Sequence, residues 1–137
     1  MNQQNIDLVK SSYAAFGRGD LDAILATMDP SVEWKTPGGA ELPFAGTRRG
    51  TAQVREFFTT LSEVVDFEQF EPQTFIADGD RVVVLGVDRL KVKATGKSIS
   101  ESWCHVMTVR NGKIVAFVEY MDTAAIAAEF KGAAARA

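Results

Sequence analysis

Three tight-turn signals in the second half of the chain constrain its fold more than any other feature. The segments "ADGD" (77–80), "ATGK" (94–97) and "RNGK" (110–113) separate long runs rich in apolar residues. The first and third contain Asp-Gly and Asn-Gly pairs, which favour tight β-hairpins. Four strands joined in this way predict an antiparallel meander that starts near residue 67. Each strand is longer than the usual length of about five or six residues, which indicates strong curvature, and Gly86 marks a bend or a bulge.

The first half of the chain has helical periodicity instead. Apolar residues spaced by three or four positions predict a helix over about residues 3–17, a second helix from Leu21 to Met28, and a third from Val54 to Val65. The segment 31–36 alternates like a short strand, and 37–50 is rich in Gly and Pro and predicts a loop. A last helix is expected at about 123–131. Helices followed by strands predict an α+β fold, with the helices on one face of the sheet, in a single domain of residues 1–137.

Composition excludes several classes of function. The net charge of −3 and the pI of about 5.2 argue against a nucleic-acid partner, which requires a basic face. No apolar run reaches the roughly 18 residues of a membrane span, and the N-terminus lacks the pattern of a signal peptide, so a cytoplasmic protein is expected. Cys104 and His105 are the only residues of their types. They are too few for a zinc site of the usual kind, and we expect neither a metal nor a cofactor.

Strand alternation places titratable groups on an apolar face. In the second strand Asp88 shares a face with valines and leucines, and in the third strand Trp103 and His105 share the inward face. Asp88 is either an edge residue paired with a cation or a carboxylate that points into a cavity. His105 is either a core histidine with satisfied hydrogen bonds or a catalytic group. Because these groups share one face, we treat Asp88 and His105 as candidate catalytic residues.

The last strand leaves two assignments open, since both of its faces carry apolar residues. Glu119 and Asp122 point to opposite faces in the absence of a bulge. We predict that Asp122 faces the cavity as the main acid–base group, accompanied by Tyr120, and that Glu119 lies outside. The alternative is that Asp122 only caps the terminal helix, because aspartate is a favoured N-cap residue. The apolar outer face also predicts a homodimer.

Large side chains of the helices and strands are the candidate ligand contacts. Their alternative role is simple core packing, which is the more usual role of aromatic residues at helical spacing. The predicted substrate-binding residues are Tyr13, Met28, Trp34, Phe58, Trp103 and Tyr120.

Three long segments of this sequence resemble one known family. The segments "SSYAAFGRGDLDAILATMDPSVEW", "LPFAGTRRG…VREFF" and "ESWCHVMTVRNGKIVAFVEYMDTAA" are similar to the SnoaL-like polyketide cyclase group. This group belongs to the nuclear transport factor 2-like superfamily, together with ketosteroid isomerases and limonene epoxide hydrolases. The resemblance covers nearly the whole chain. It implies a cone of helices over a strongly curved, mostly antiparallel sheet that encloses one deep apolar pocket for a small apolar ligand.

The resemblance carries over to individual residues only in part. The oxyanion tyrosine of the isomerases falls at Ser12 and their proton-shuttling aspartate near Trp34, which argues against steroid isomerisation. The two catalytic aspartates of the epoxide hydrolases resemble Asp88 and Asp122. The arginine that lies between these two acids in the hydrolase site is two places before the first of them in sequence, and Gly86 replaces it here. The SnoaL-type cyclases are similar in using one pocket aspartate as the acid–base catalyst, and Asp122 is the best match for it.

Three functions are compatible with the sequence. The first is an acid–base enzyme that isomerises, cyclises, dehydrates or hydrolyses a small or medium apolar molecule, with Asp122, Asp88 and His105 as the catalytic residues. The second is a non-catalytic protein that binds an apolar ligand. The third is a scaffold that serves only dimerisation. A pocket acid with a raised pKa favours the first function, a wholly apolar pocket the second, and a filled pocket the third.

Overall fold

Residues 2–136 fold into four helices and six strands. The computed structural model describes residues 2–136, with side chains up to residue 131. The helices are α1 (Asn2–Gly17), α2 (Leu21–Ala26), α3 (Thr51–Val64) and α4 (Thr123–Arg136). The strands are β1 (Met28–Thr36), β2 (Gly46–Arg49), β3 (Val65–Asp78), β4 (Arg81–Val92), β5 (Lys97–Arg110) and β6 (Lys113–Tyr120).

All six strands form one curved, open sheet in the order β2-β1-β6-β5-β4-β3. The three predicted hairpins are present, since β3, β4, β5 and β6 pair antiparallel in sequence. The pair β1–β6 is the parallel one. The predicted α+β class, the three N-terminal helices and the mostly antiparallel sheet are therefore confirmed. Within residues 2–136 no helix combines the length and hydrophobicity needed to span a membrane.

Two predicted boundaries were wrong. Helix α2 ends at Ala26, and Met28 begins β1 because the Thr27 carbonyl accepts a hydrogen bond from the Ile114 backbone at 2.8 Å, which draws the chain towards β6. The predicted loop 37–50 contains β2, which pairs with β1. Propensity and apolar spacing report only local preferences, whereas these two boundaries depend on partners distant in sequence.

Irregular pairing accompanies the curvature of the sheet. The register of β3 against β4 shifts between Phe67 and Gln69 and again between Pro72 and Thr74, and that of β5 against β6 shifts at Thr108. Such bulges insert one extra residue and increase the local bend. Gly86 pairs with Pro72 beside the second shift, as expected for a glycine that marks a bend.

The neighbouring strands β3 and β5 leave no room for a side chain at Gly86. A Cβ atom built there meets the Glu71 carbonyl oxygen at 2.6 Å and the Trp103 indole. Trp103 pairs with Gly86 across β4–β5, and its indole covers the space where a side chain would stand. The indole therefore requires a glycine at this position.

Gly86→Ala is expected to destabilise the fold by about 1–3 kcal/mol, because the added methyl overpacks against backbone and a buried ring. Thermal and denaturant unfolding measure the effect. Gly17→Ala is the matched control, since a Cβ at Gly17 meets nothing within 4 Å. Equal stability of the two variants would contradict this packing argument.

Candidate functional site

A cavity of about 80 Å³ lies between the helices and the inner face of the sheet. Most of its wall is aromatic or aliphatic, with Phe16 and Phe58 from the helices and Trp34 and Phe117 from the strands. A smaller group of polar side chains interrupts this wall. They are Ser12, Tyr13, Asp88, Glu101, His105 and Glu119.

His105 lies at the centre of a hydrogen-bond chain on the cavity wall. Its Nδ1 is 2.7 Å from the Tyr13 hydroxyl, and its Nε2 is 2.9 Å from Oε2 of Glu119. The histidine is 4% exposed. His105 and Glu119 are direct cross-strand partners in β5 and β6, so their side chains share a face. Helix α1 supplies Tyr13 from the opposite side.

Donor and acceptor in this chain depend on the tautomer of His105, and the protonated Tyr13 phenol favours one of the two. Burial, and next the negative charge of Glu119, raise the pKa of the Tyr13 phenol well above its usual value. A phenol that keeps its proton donates to Nδ1 of His105. Nε2–H of the imidazole then donates to Glu119, which is the arrangement in which a carboxylate orients a histidine.

A second polar pair lies on the same face of the sheet. Asp88 and Glu101 are cross-strand partners in β4 and β5. Burial, reinforced by the charge of Glu101, raises the pKa of Asp88 to about 8. Burial also raises the pKa of Glu101 to about 6. Asp88 is 6% exposed, and its Oδ1 has no hydrogen-bond partner among the described residues.

Two carboxyl groups this close share a proton more readily than they carry two charges. Asp88 is thus an acid that keeps its proton near neutral pH, whereas the Tyr13–His105–Glu119 chain offers proton acceptors. Environments that separate the pKa values of neighbouring groups are typical of acid–base sites.

Aromatic stacking holds the imidazole in place. The Trp103 indole stacks on His105 with ring centroids 4.1 Å apart, and Phe70 also stacks on the indole, with ring centroids 4.9 Å apart. The indole covers Gly86, so a cation like the arginine of the epoxide hydrolases has no room at this position. The acidic pair therefore lies beside an aromatic stack, with no arginine on that side.

The comparisons with known proteins agree with this architecture. The family model of the SnoaL-like domain matches residues 9–117. The chain belongs to the SnoaL-like domain family. A crystal structure of an NTF2-like protein from Burkholderia xenovorans is 38% identical, covers 93% of this chain and 96% of its own, and has a TM-score of 0.85. The predicted family and its fold are therefore confirmed.

Two further relatives extend the comparison. TerC, co-crystallised with polyporic acid, is 32% identical, covers 93% of this chain and 98% of its own, and has a TM-score of 0.84. An uncharacterised protein of Mycobacterium tuberculosis is 30% identical over 122 residues, which are 88% of this chain and 92% of that protein.

In this SnoaL-like domain the predicted orientation of the last strand was wrong. Asp122 is exposed and caps α4, accepting a hydrogen bond from the Ala125 backbone at 3.0 Å. Tyr120 is 57% exposed on the outer face, whereas Glu119 faces the cavity. The register of β5 with β6 decides this, because Glu119 is opposite the inward His105. Asp122 is therefore in the helix-capping position that was the alternative to a place in the cavity.

Two predicted ligand contacts also lie elsewhere. Met28 is buried in the core at the start of β1 and is absent from the cavity wall. Trp103 is buried, stacks on His105 and is not part of the cavity wall. Tyr13, Trp34 and Phe58 do line the cavity.

Two cavity acids, Glu101 and Glu119, were missing from the predicted site. Period-two alternation puts Glu101 on the same face as Trp103 and His105, so pairing it with Asp88 across the hairpin would have identified it. Glu119 required the bulge near Thr108 and the register that follows from it. Within the described residues no cluster of His, Cys, Asp and Glu is arranged to hold a metal ion.

Asp88→Asn is expected to stabilise the protein by roughly 3–5 °C at pH 8, or about 1 kcal/mol for a domain of this size. The folded-state pKa of Asp88 is raised, so its contribution to stability is present below the unfolded-state pKa of about 4 and is lost as pH rises towards 8. Asparagine does not ionise, so the variant keeps its stability as pH rises from 4 to 8.

Melting temperatures of wild type and variant between pH 4 and pH 8 measure the effect, and the difference should grow with pH. The exposed Asp78 supplies the control variant Asp78→Asn. An Asp88→Asn protein that is less stable than wild type at pH 8 would show that Asp88 is held as a carboxylate.

Proposed function

We propose that this SnoaL-like domain is an acid–base enzyme for a small or medium apolar molecule that carries a carbonyl, enol or epoxide. The observation that carries the proposal is the Tyr13–His105–Glu119 chain in the wall of an apolar cavity, with the buried acid Asp88 on the same face. A histidine with only a structural role needs partners for its two ring nitrogens. It does not need the further buried acids Asp88 and Glu101 on the same face, so their presence favours a chemical role.

The polar groups divide into an acid and a base. The Asp88 carboxyl donates its proton to the substrate oxygen on which negative charge develops. The Glu119 carboxylate accepts a proton from the adjacent carbon or from an attacking hydroxyl, His105 positions that carboxylate, and Tyr13 keeps the imidazole oriented. The enzyme thus gives one proton from Asp88 and takes up one proton from the substrate. The two groups return to their starting states by the reverse transfer or by exchange with water.

Similarity to TerC supports an organic ligand in the cavity. That protein was co-crystallised with polyporic acid, and it shares the fold over nearly the whole length of both chains. The aromatic wall favours a flat, unsaturated ligand, since rings stack on rings. At about 80 Å³ the cavity requires its aromatic side chains to move before a large ring system enters.

A ligand-binding protein without chemistry is the second candidate. The apolar wall favours it, because such a wall binds an apolar ligand even when no proton is transferred. The two functions differ in whether bound ligand exchanges protons with the protein.

Deuterium incorporation into an enolisable ketone tests the proposal. The protein is incubated with 2-tetralone and smaller ketones in D₂O, and mass spectrometry follows the label. His105→Gln and Glu119→Gln are expected to slow the enzyme-dependent exchange by at least about 10²-fold, since Glu119→Gln removes the proton acceptor and His105→Gln removes the imidazole that positions it.

The two tyrosines provide a matched control. Tyr13→Phe removes the hydroxyl that contacts His105 and should slow exchange, whereas Tyr120→Phe changes the exposed tyrosine and should not. Ketone that binds in the cavity with no exchange above the His105→Gln level would favour the ligand-binding protein.

We also propose that a second copy of the chain covers the outer face of the sheet. Two rows of mainly apolar side chains cross the neighbouring strands there, one from β3 to β6 and one from β4 to β6, and we call them the outer patch. Leu85 is 41% exposed, and Ile76 is 51% exposed. The rows are Ile76–Val83–Val106–Val118 and Leu85–Cys104–Tyr120.

Sedimentation equilibrium at micromolar concentration should give a dimer, because an exposed patch of this kind is unusual on a monomer. Leu85→Asp places a charge in the outer patch and should yield monomers. Ser100→Asp, at the polar end of the same face, is the control and should stay dimeric. A monomeric wild-type protein would contradict this proposal.

A further inference from the structure

The acidic pair Asp88–Glu101 borders two spaces at once. Both residues line the apolar cavity, and both also line an open polar cleft on the surface. The other members of the cleft include Ser100, Ser102 and Asp122. Tyr13 and His105 line only the cavity.

The cleft exists because the last strand leaves the sheet early. Pairing of β6 with β5 begins at Cys104, opposite Tyr120, so the β5 residues before Cys104 have no partner from β6. The backbone N–H of Asp122 donates to Oε2 of Glu101 at 3.0 Å across this gap. Glu101 therefore links the buried pair to the surface.

The groups that face the pair are mostly acidic. Glu119 of β6 is close enough for its charge to raise the pKa of Asp88 and of Glu101, and Asp122 does the same to Glu101. From β3 the neutral Phe70 and Gln69 approach Asp88. Among the described residues the hydrogen-bond and charge contacts thus run from His105 through Glu119 to the pair and the cleft.

We infer that the Asp88–Glu101 pair is a route by which protons pass between the apolar cavity and solvent, at the unpaired edge of β5. Asp88 passes its proton to Glu101, Glu101 releases it to water in the cleft, and Asp88 then takes a proton from the cavity, so that the pair again holds one proton. Oδ1 of Asp88, which has no hydrogen-bond partner among the described side chains, can accept that next proton. The use of this route in turnover rests on the proposed function, but the route itself does not.

His105 reports on the route because it is the only histidine of the chain. Protein labelled with ¹⁵N-histidine gives a single imidazole, and NMR measures how fast its N–H exchanges with water. Glu101→Gln keeps the shape and the acceptor for Asp122 but carries no exchangeable acid proton. It is expected to slow exchange by roughly tenfold or more.

The direction of the change separates a proton route from a structural role. A variant that only loosens the fold exchanges faster, because local opening admits water more often. Asp88→Asn is the second variant and should also slow exchange. Asp122→Asn is the control, since it removes a charge from the same cleft while asparagine still caps α4.

Slower exchange in Glu101→Gln and Asp88→Asn, with Asp122→Asn within about twofold of wild type, supports the route. Unchanged or faster exchange in the two pair variants overturns it, as does equal slowing in all three proteins. Because no substrate is present, this outcome is independent of the ketone assay. Failure of the proposed function and failure of the proton route are therefore distinguishable.

Discussion

The Tyr13–His105–Glu119 chain is the interaction on which the site depends. It joins helix α1 to two central strands, β5 and β6, through one imidazole with both nitrogens engaged. A buried imidazole with an unpaired nitrogen would be destabilising, so the chain also sets how closely α1 packs on the sheet. The stacked Trp103 then determines the plane of the ring.

The antiparallel register of β4, β5 and β6 places the carboxyl groups on the same face as His105. Glu101 and His105 are four residues apart on β5 and share a face, and their partners on β4 and β6 are Asp88 and Glu119. One face of three adjacent strands thus collects three carboxyl groups and an imidazole. Burying these groups raises the pKa of Asp88 and Glu101, because ionised carboxyls lose hydration and repel one another.

The departure from the epoxide hydrolases at Gly86 has a physical basis in packing. The glycine at position 86 is imposed by the Trp103 indole, so the aromatic stack and an arginine at this place exclude each other. Without an arginine at position 86 to stabilise their charges, Asp88 and Glu101 have raised pKa values and stay partly protonated. This favours proton transfer to and from a substrate over a mechanism that needs permanently charged carboxylates.

The sequence by itself determined the fold class, the hairpin order and the inward faces of β4 and β5, since turn residues and period-two alternation are local signals. It therefore predicted Asp88 and His105 on the cavity side. Only the tertiary structure decided the face of β6, because a bulge near Thr108 and pairing with β5 set its register. That register exchanged the expected positions of Glu119 and Asp122, because one residue of offset turns a side chain to the opposite face.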